Sequence, residues 1–79
     1  MNYPIYRKFK GIDVWFKISS DTSFIEIKKL GTRVLISKIE AIQFPEKLLI
    51  QDMIAKHENR WEEVDQEVVE RILKSEKFI

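Results

Sequence analysis

The 79-residue chain contains no cysteine, which excludes disulfide staples, thiolate zinc sites, iron–sulfur clusters and cysteine nucleophiles. A small domain without covalent staples fits a reducing compartment, so a cytoplasmic protein is expected. Glycine and proline are scarce, two of each, and Gly11 and Gly31 lie too far apart to build a glycine-rich phosphate cradle. Long hydrophobic runs are missing as well. The longest uncharged apolar stretch, Leu48-Leu49-Ile50, is far short of a signal-peptide core or a membrane span, so no membrane partner is expected. Nor is one sign of charge in excess: the net charge is +1, which by itself points to neither nucleic acid nor membrane.

What is present reads as one small globular domain spanning residues 1–79. Hydrophobic residues make up 44% and charged residues 34% of the chain, a balance that argues against disorder. Area scaling gives a folded surface of ~5,000 Å² and burial of ~63% of the extended chain, hence a thin core. The near-zero net charge hides an asymmetry. Eight Lys/Arg stand against four Asp/Glu up to Glu40, and six against nine from residue 41 onward, which suggests that the two parts form different layers.

From Ile5 to Phe44 the pattern is that of strands, with Val14, Phe16 and Ile18 alternating with Asp13, Trp15 and Lys17. Gly11, Gly31 and the polar run Ser19-Ser20-Asp21-Thr22-Ser23 mark three reversals. Reversals this short force antiparallel pairing, since a parallel crossover needs a dozen or more residues. A four-stranded antiparallel meander over 5–10, 13–19, 24–30 and 33–43 is expected. Its last segment carries apolar residues in both phases, which either a bulge near Ser37-Lys38 or coverage on both sides would reconcile.

Pro45 ends the strand region, forces Phe44 out of the helical basin and suits the first turn of a helix over 46–58, with Leu49, Ile50, Met53, Ile54 and His57 forming its stripe. Asn59 suits a left-handed terminator. Residues 60–64 read as a short fifth strand or an extended link, and Asp65 as the cap of a second helix over 66–76. Val64 and Val69 would staple that cap. Val68, Val69, Ile72 and Leu73 form the buried stripe, with Glu67–Arg71 and Glu70–Lys74 as outward pairs. Two C-terminal helices covering one face of the sheet make a two-layer α+β domain.

No catalytic or metal-binding set emerges, and no cofactor is expected. His57, the sole histidine, has Asp52 well off its helical face and Glu58 beside it, so a helix-end histidine is the simpler account than a metal ligand. The serines at 19, 20, 23, 37 and 75 occupy no nucleophile elbow. The acidic run Glu62, Glu63, Asp65, Glu67, Glu70 is explained by a solvated helix start, whose dipole favours negative charge.

Two constellations point to partners. Tyr3, Tyr6, Phe9, Trp15, Phe16 and Phe24 interleave with Arg7, Lys8, Lys10, Lys17, Lys28 and Lys29, the residue types of a platform for single-stranded nucleic acid. Alternation puts Tyr6, Lys8 and Lys10 on one face of the first strand, and Trp15 with Lys17 on one face of the second. The competing account has Trp15 and Tyr6 capping a small second core while lysines guard edge strands. The other constellation is leftover apolar surface, with self-association through an edge strand or through Trp61 and Phe78. Phe78-Ile79 equally suits a loose tail or a strap over the core.

The run Tyr6-Arg7-Lys8-Phe9, then Trp15 to Ile27, Pro45-Glu46 and Trp61-Glu62-Glu63-Val64-Asp65 resembles short uncharacterised proteins of Bacteroidetes-type bacteria. The resemblance spans most of the chain in strand and cap residues and transfers no active site. It implies a small stand-alone bacterial protein. A non-catalytic protein-interaction module, able to self-associate, is the leading expectation. Binding of single-stranded nucleic acid is the alternative.

Overall fold

The computed structural model describes residues 2–56 and 59–75. Four strands form the expected antiparallel meander: β1 (Ile5–Phe9), β2 (Val14–Ser20), β3 (Ser23–Leu30) and β4 (Arg33–Glu40). Helix α1 (Phe44–Ala55) follows, then the short β5 (Trp61–Glu63) and helix α2 (Gln66–Ser75). The sheet order is β4-β3-β2-β1-β5, because α1 carries the chain back across the sheet and lays β5 antiparallel to β1. β5 is the short fifth strand, not a link.

The turns follow from local chemistry. Gly31 has φ +63° and occupies the first central position of the two-residue β3–β4 reversal, where a side chain on Cβ would be strained. At the β2–β3 turn, the Ser20 hydroxyl accepts from the Thr22 N–H at 3.1 Å, the turn role expected of that serine run.

The two-layer arrangement is corrected. Residues Phe16, Ile18, Phe24, Ala41 and Trp61 pack with Ile50 and Met53 of α1, whereas Tyr6 and Ile27 pack with Val69 of α2. These sets have opposite parity along the strands, so the helices lie on opposite faces of one sheet. Both faces are apolar, and each receives one helix. Coverage from both sides also explains the double phase of β4: Ile39 belongs to the α1 face, Val34 and Ile36 to the α2 face. No bulge is needed near Ser37-Lys38, where β3 and β4 pair without interruption. The irregularity falls instead between Ile18 and Ser20.

Element ends also shift. α1 starts at Phe44, earlier than expected, because Gln43 serves as N-cap and its N–H is taken by the Glu46 carboxylate at 3.2 Å. Pro45 in the first turn gives up only a donor that no helical carbonyl needs, and Phe44 is helical against the steric preference that a following proline imposes. At the other end, Lys56 rather than Asn59 turns left-handed (φ 54°) and its N–H bonds back to the helix. Asn59 is left-handed too, φ 59°, beyond the helix. His57, the expected helix end at residue 58, residue 76 of the second helix, and Phe78-Ile79 lie outside the described residues.

Candidate functional site

The basic and aromatic set divides between the two faces, with Phe9, Phe16 and Phe24 packed on the α1 side and Tyr6 and Trp15 on the α2 side. Alternation does place Tyr6, Lys8, Trp15 and Lys17 there, and β1–β2 pairing sets Tyr6 opposite Lys17 and Lys8 opposite Trp15. α2 then lies on this face. Tyr6 is only 8% exposed, packed with Ile27 and Val69, and Trp15 is half-buried against the same cluster. The Lys8 ammonium sits 5.8 Å from the centre of the Trp15 ring and 3.8 Å from Glu62 of β5. Lys10 donates to the Asn59 side-chain oxygen at 2.6 Å. These contacts realise the second-core arrangement.

Glu70 is the residue that sequence reasoning assigned wrongly. As an outward partner of Lys74 it would face solvent; instead its Oε2 accepts from the Tyr6 hydroxyl at 2.5 Å and lies 2.6 Å from the Lys17 ammonium. Those two donors hold its carboxyl below the usual range, that of Lys17 contributing most. Burial, reinforced by the Glu70 charge, pushes the Tyr6 phenol up to about 12. Tyr6, Lys17 and Glu70 thus form a neutralised clasp between sheet and helix. A phenol held protonated and a carboxylate held charged serve docking of α2 better than proton transfer near neutral pH. Nothing in the spacing of Glu70 signalled this, because the i,i+4 partner was nearer in sequence than the sheet.

The basic N-terminal and acidic C-terminal parts therefore meet rather than stack as separate layers. Lys8–Glu62 and Lys17–Glu70 join them, and β5 brings two of the glutamates into the sheet itself. Arg7, counted among the basic platform residues, faces the other way. Its Nε donates to the Met53 carbonyl at 2.9 Å and its terminal nitrogen to that of Ile54 at 3.3 Å, closing the C-terminal end of α1. The strand alternation placed Arg7 opposite Tyr6 and Lys8 and could have signalled this.

Trp61, expected at an interface, is buried within the chain. It is 4% exposed, with edge-on contacts to Phe9 at 5.1 Å and Phe16 at 5.2 Å between ring centres. Self-association through Trp61 is therefore ruled out by its burial. Among the described residues no group of three or more His, Asp or Glu side chains is placed to hold a metal ion. No helix there is long and apolar enough to cross a membrane.

Open apolar surface is concentrated around β4. On the α1 face Leu30 is 58% and Leu35 49% exposed; past the strand, Ile42 is 80% and Phe44 71% exposed. Leu48, one turn after Phe44, is exposed too, so α1 is apolar on more than the face it buries. β4 is also an edge: eight regular residues with neither proline nor bulge. The opposite edge, β5, is three residues long and carries Glu62 and Glu63. No protein-family model, curated protein or solved structure matches the chain.

Proposed function

We propose that the protein is a non-catalytic interaction module of the cytoplasm that docks a protein partner along the β4 edge. One observation carries the reading: a long, regular edge strand flanked at both ends by exposed large apolar side chains. Such an edge templates strand addition, and the side chains beside it supply the apolar contact that main-chain pairing lacks. The cysteine-free composition fits the cytoplasm.

The alternative, stacking of single-stranded nucleic acid on the basic aromatic face, requires Tyr6, Trp15 and Lys17 to be open. α2 covers Tyr6 and Glu70 engages Lys17, which favours the edge. No salt-dependent binding to mixed oligonucleotides at low ionic strength is the expected result.

Photoreactive side chains placed singly at Lys38, at Phe44 and, as a control at the exposed start of α2, at Gln66 test the docking surface. A discrete adduct from the first two positions and none from Gln66 is expected. Absence of adducts at Lys38 and Phe44, or equal labelling at Gln66, overturns the reading.

A further inference from the structure

We infer that the partner at the β4 edge is a second copy of this chain, paired antiparallel through β4 about a two-fold axis between the two Ser37 residues. This rests on the edge-docking reading and adds the partner, its direction and its register.

The backbone phase limits the choices. The reversal closes on the Leu30–Arg33 pair, and the Ala41 N–H donates to the Thr22 carbonyl, so the odd-numbered residues of β4 bond to β3. The N–H and C=O groups of Val34, Ile36, Lys38 and Glu40 then point outward. A second copy offers the same even-numbered set. A two-fold axis perpendicular to the sheet pairs even with even and continues the α1 face of one copy into that of the other.

Charge selects among the registers this leaves. Centred on Lys38, the two Lys38 side chains face each other. Centred on Ile36, Lys38 faces Val34 of the second copy, whose neighbour on β3 is Lys29, so two lysines share a row. Centred on Leu35, the overlap runs out into the Gly31–Thr32 reversal, and centred on Ile39, where Lys38 would face Glu40, it runs past Glu40 beyond the end of the strand. Centred on Ser37, Glu40 faces Val34 with Lys29 next in the row, and neither charge has an ion-pair partner among the described residues. Lys38 faces Ile36, over which its methylene stem can lie with the ammonium in water.

Apolar complementarity agrees. Antiparallel pairing sets the start of one β4 against the end of the other, bringing Leu30 and Leu35 of one copy beside Ile42 and Phe44 of its mate. Leu35 lies opposite the half-buried Ile39 on the α1 face. These four are among the large apolar side chains that the monomer leaves exposed. The pairing also consumes both β4 edges, leaving only the short acidic β5 edges, so assembly stops at two.

Ser37→Cys introduces the sole thiol of the chain, and in this register two such thiols face each other across a non-hydrogen-bonded pair. The Cα separation there is ~4.5 Å, within disulfide range. Mild oxidation is expected to convert Ser37→Cys to a covalent dimer at least tenfold faster than Ile36→Cys or Lys38→Cys, with circular dichroism of all three unchanged. Light scattering of the unmodified chain should give twice the monomer mass. A strict monomer over a wide concentration range, or equal crosslinking at all three positions, overturns the inference. If Ser37→Cys fails to crosslink while the Lys38 photoprobe captures a different protein, the second-copy inference fails and edge docking stands. Failure of both removes both.

Discussion

The two faces of the sheet are built by different means. Under α1 lies an aromatic cluster of Phe9, Phe16, Phe24 and Trp61, into which Ile50 and Met53 insert fully buried. Under α2 the apolar core is smaller, and a charged clasp of Tyr6, Lys17 and Glu70 spans its margin. A thin sheet protein with one helix per side cannot fill both faces with apolar volume alone, so the poorer face adds directional polar contacts. Their strength depends on pH and salt, whereas that of the aromatic side depends on shape.

The comparison breaks most severely at the aromatic face. Met53→Ala removes a side chain with no exposure, and a loss of about 2–5 kcal/mol in denaturant unfolding is expected. Arg7→Ala removes the guanidinium donors from the carbonyls of Met53 and Ile54 at the end of α1 and should cost about 2 kcal/mol, read the same way. On the other side, Glu70→Gln removes the clasp charge but keeps an acceptor for Tyr6. A cost of about 1–2 kcal/mol is expected, with faster amide exchange confined to α2 and a lower Tyr6 pKa.

Titration sharpens the contrast without mutation. The Glu70 carboxyl is depressed in the folded state, so its contribution is complete above the ordinary carboxylate pKa and lost as pH falls through the depressed value. The Tyr6 phenol is raised to about 12, so its contribution is complete below the ordinary phenol pKa of about 10 and fades as pH rises toward 12. α2 amides should therefore lose protection before those of α1 at both extremes. Smallest of all, Lys56→Ala breaks the exposed Lys56–Glu63 pair of 3.6 Å and should change stability by less than about 0.5 kcal/mol.

Much of the fold was legible because it is local. Gly11, Gly31 and the Ser19–Ser23 run placed the reversals, and their shortness dictated antiparallel pairing. The stripe of α2 was equally plain in Val69, Ile72 and Leu73, although Val68, read with them, is 40% exposed, as was the parity that puts Tyr6 with Lys8 and Trp15 with Lys17. Charge pairing was not legible. Glu70 has Lys74 one turn away in sequence, yet the sheet brings Lys17 and Tyr6 closer, and side-chain spacing carries no record of a contact made across the fold. Trp61 shows the same limit. A tryptophan in a three-residue strand reads as surface until β5 pairs with β1 and turns it inward.

By itself, then, the sequence determined the four strands of the meander, the direction of their pairing, the positions of the turns and the stripe of α2, all of which follow from backbone sterics and the periods of 2 and 3.6 residues. Tertiary structure decided which helix covers which face, where the two halves of opposite charge meet, and which strand is left as an open edge. Those depend on the path of α1 across the sheet, which sends β5 to the β1 side and leaves β4 without a neighbour. No local pattern encodes that path, because it is chosen by how two apolar faces can both be buried at once.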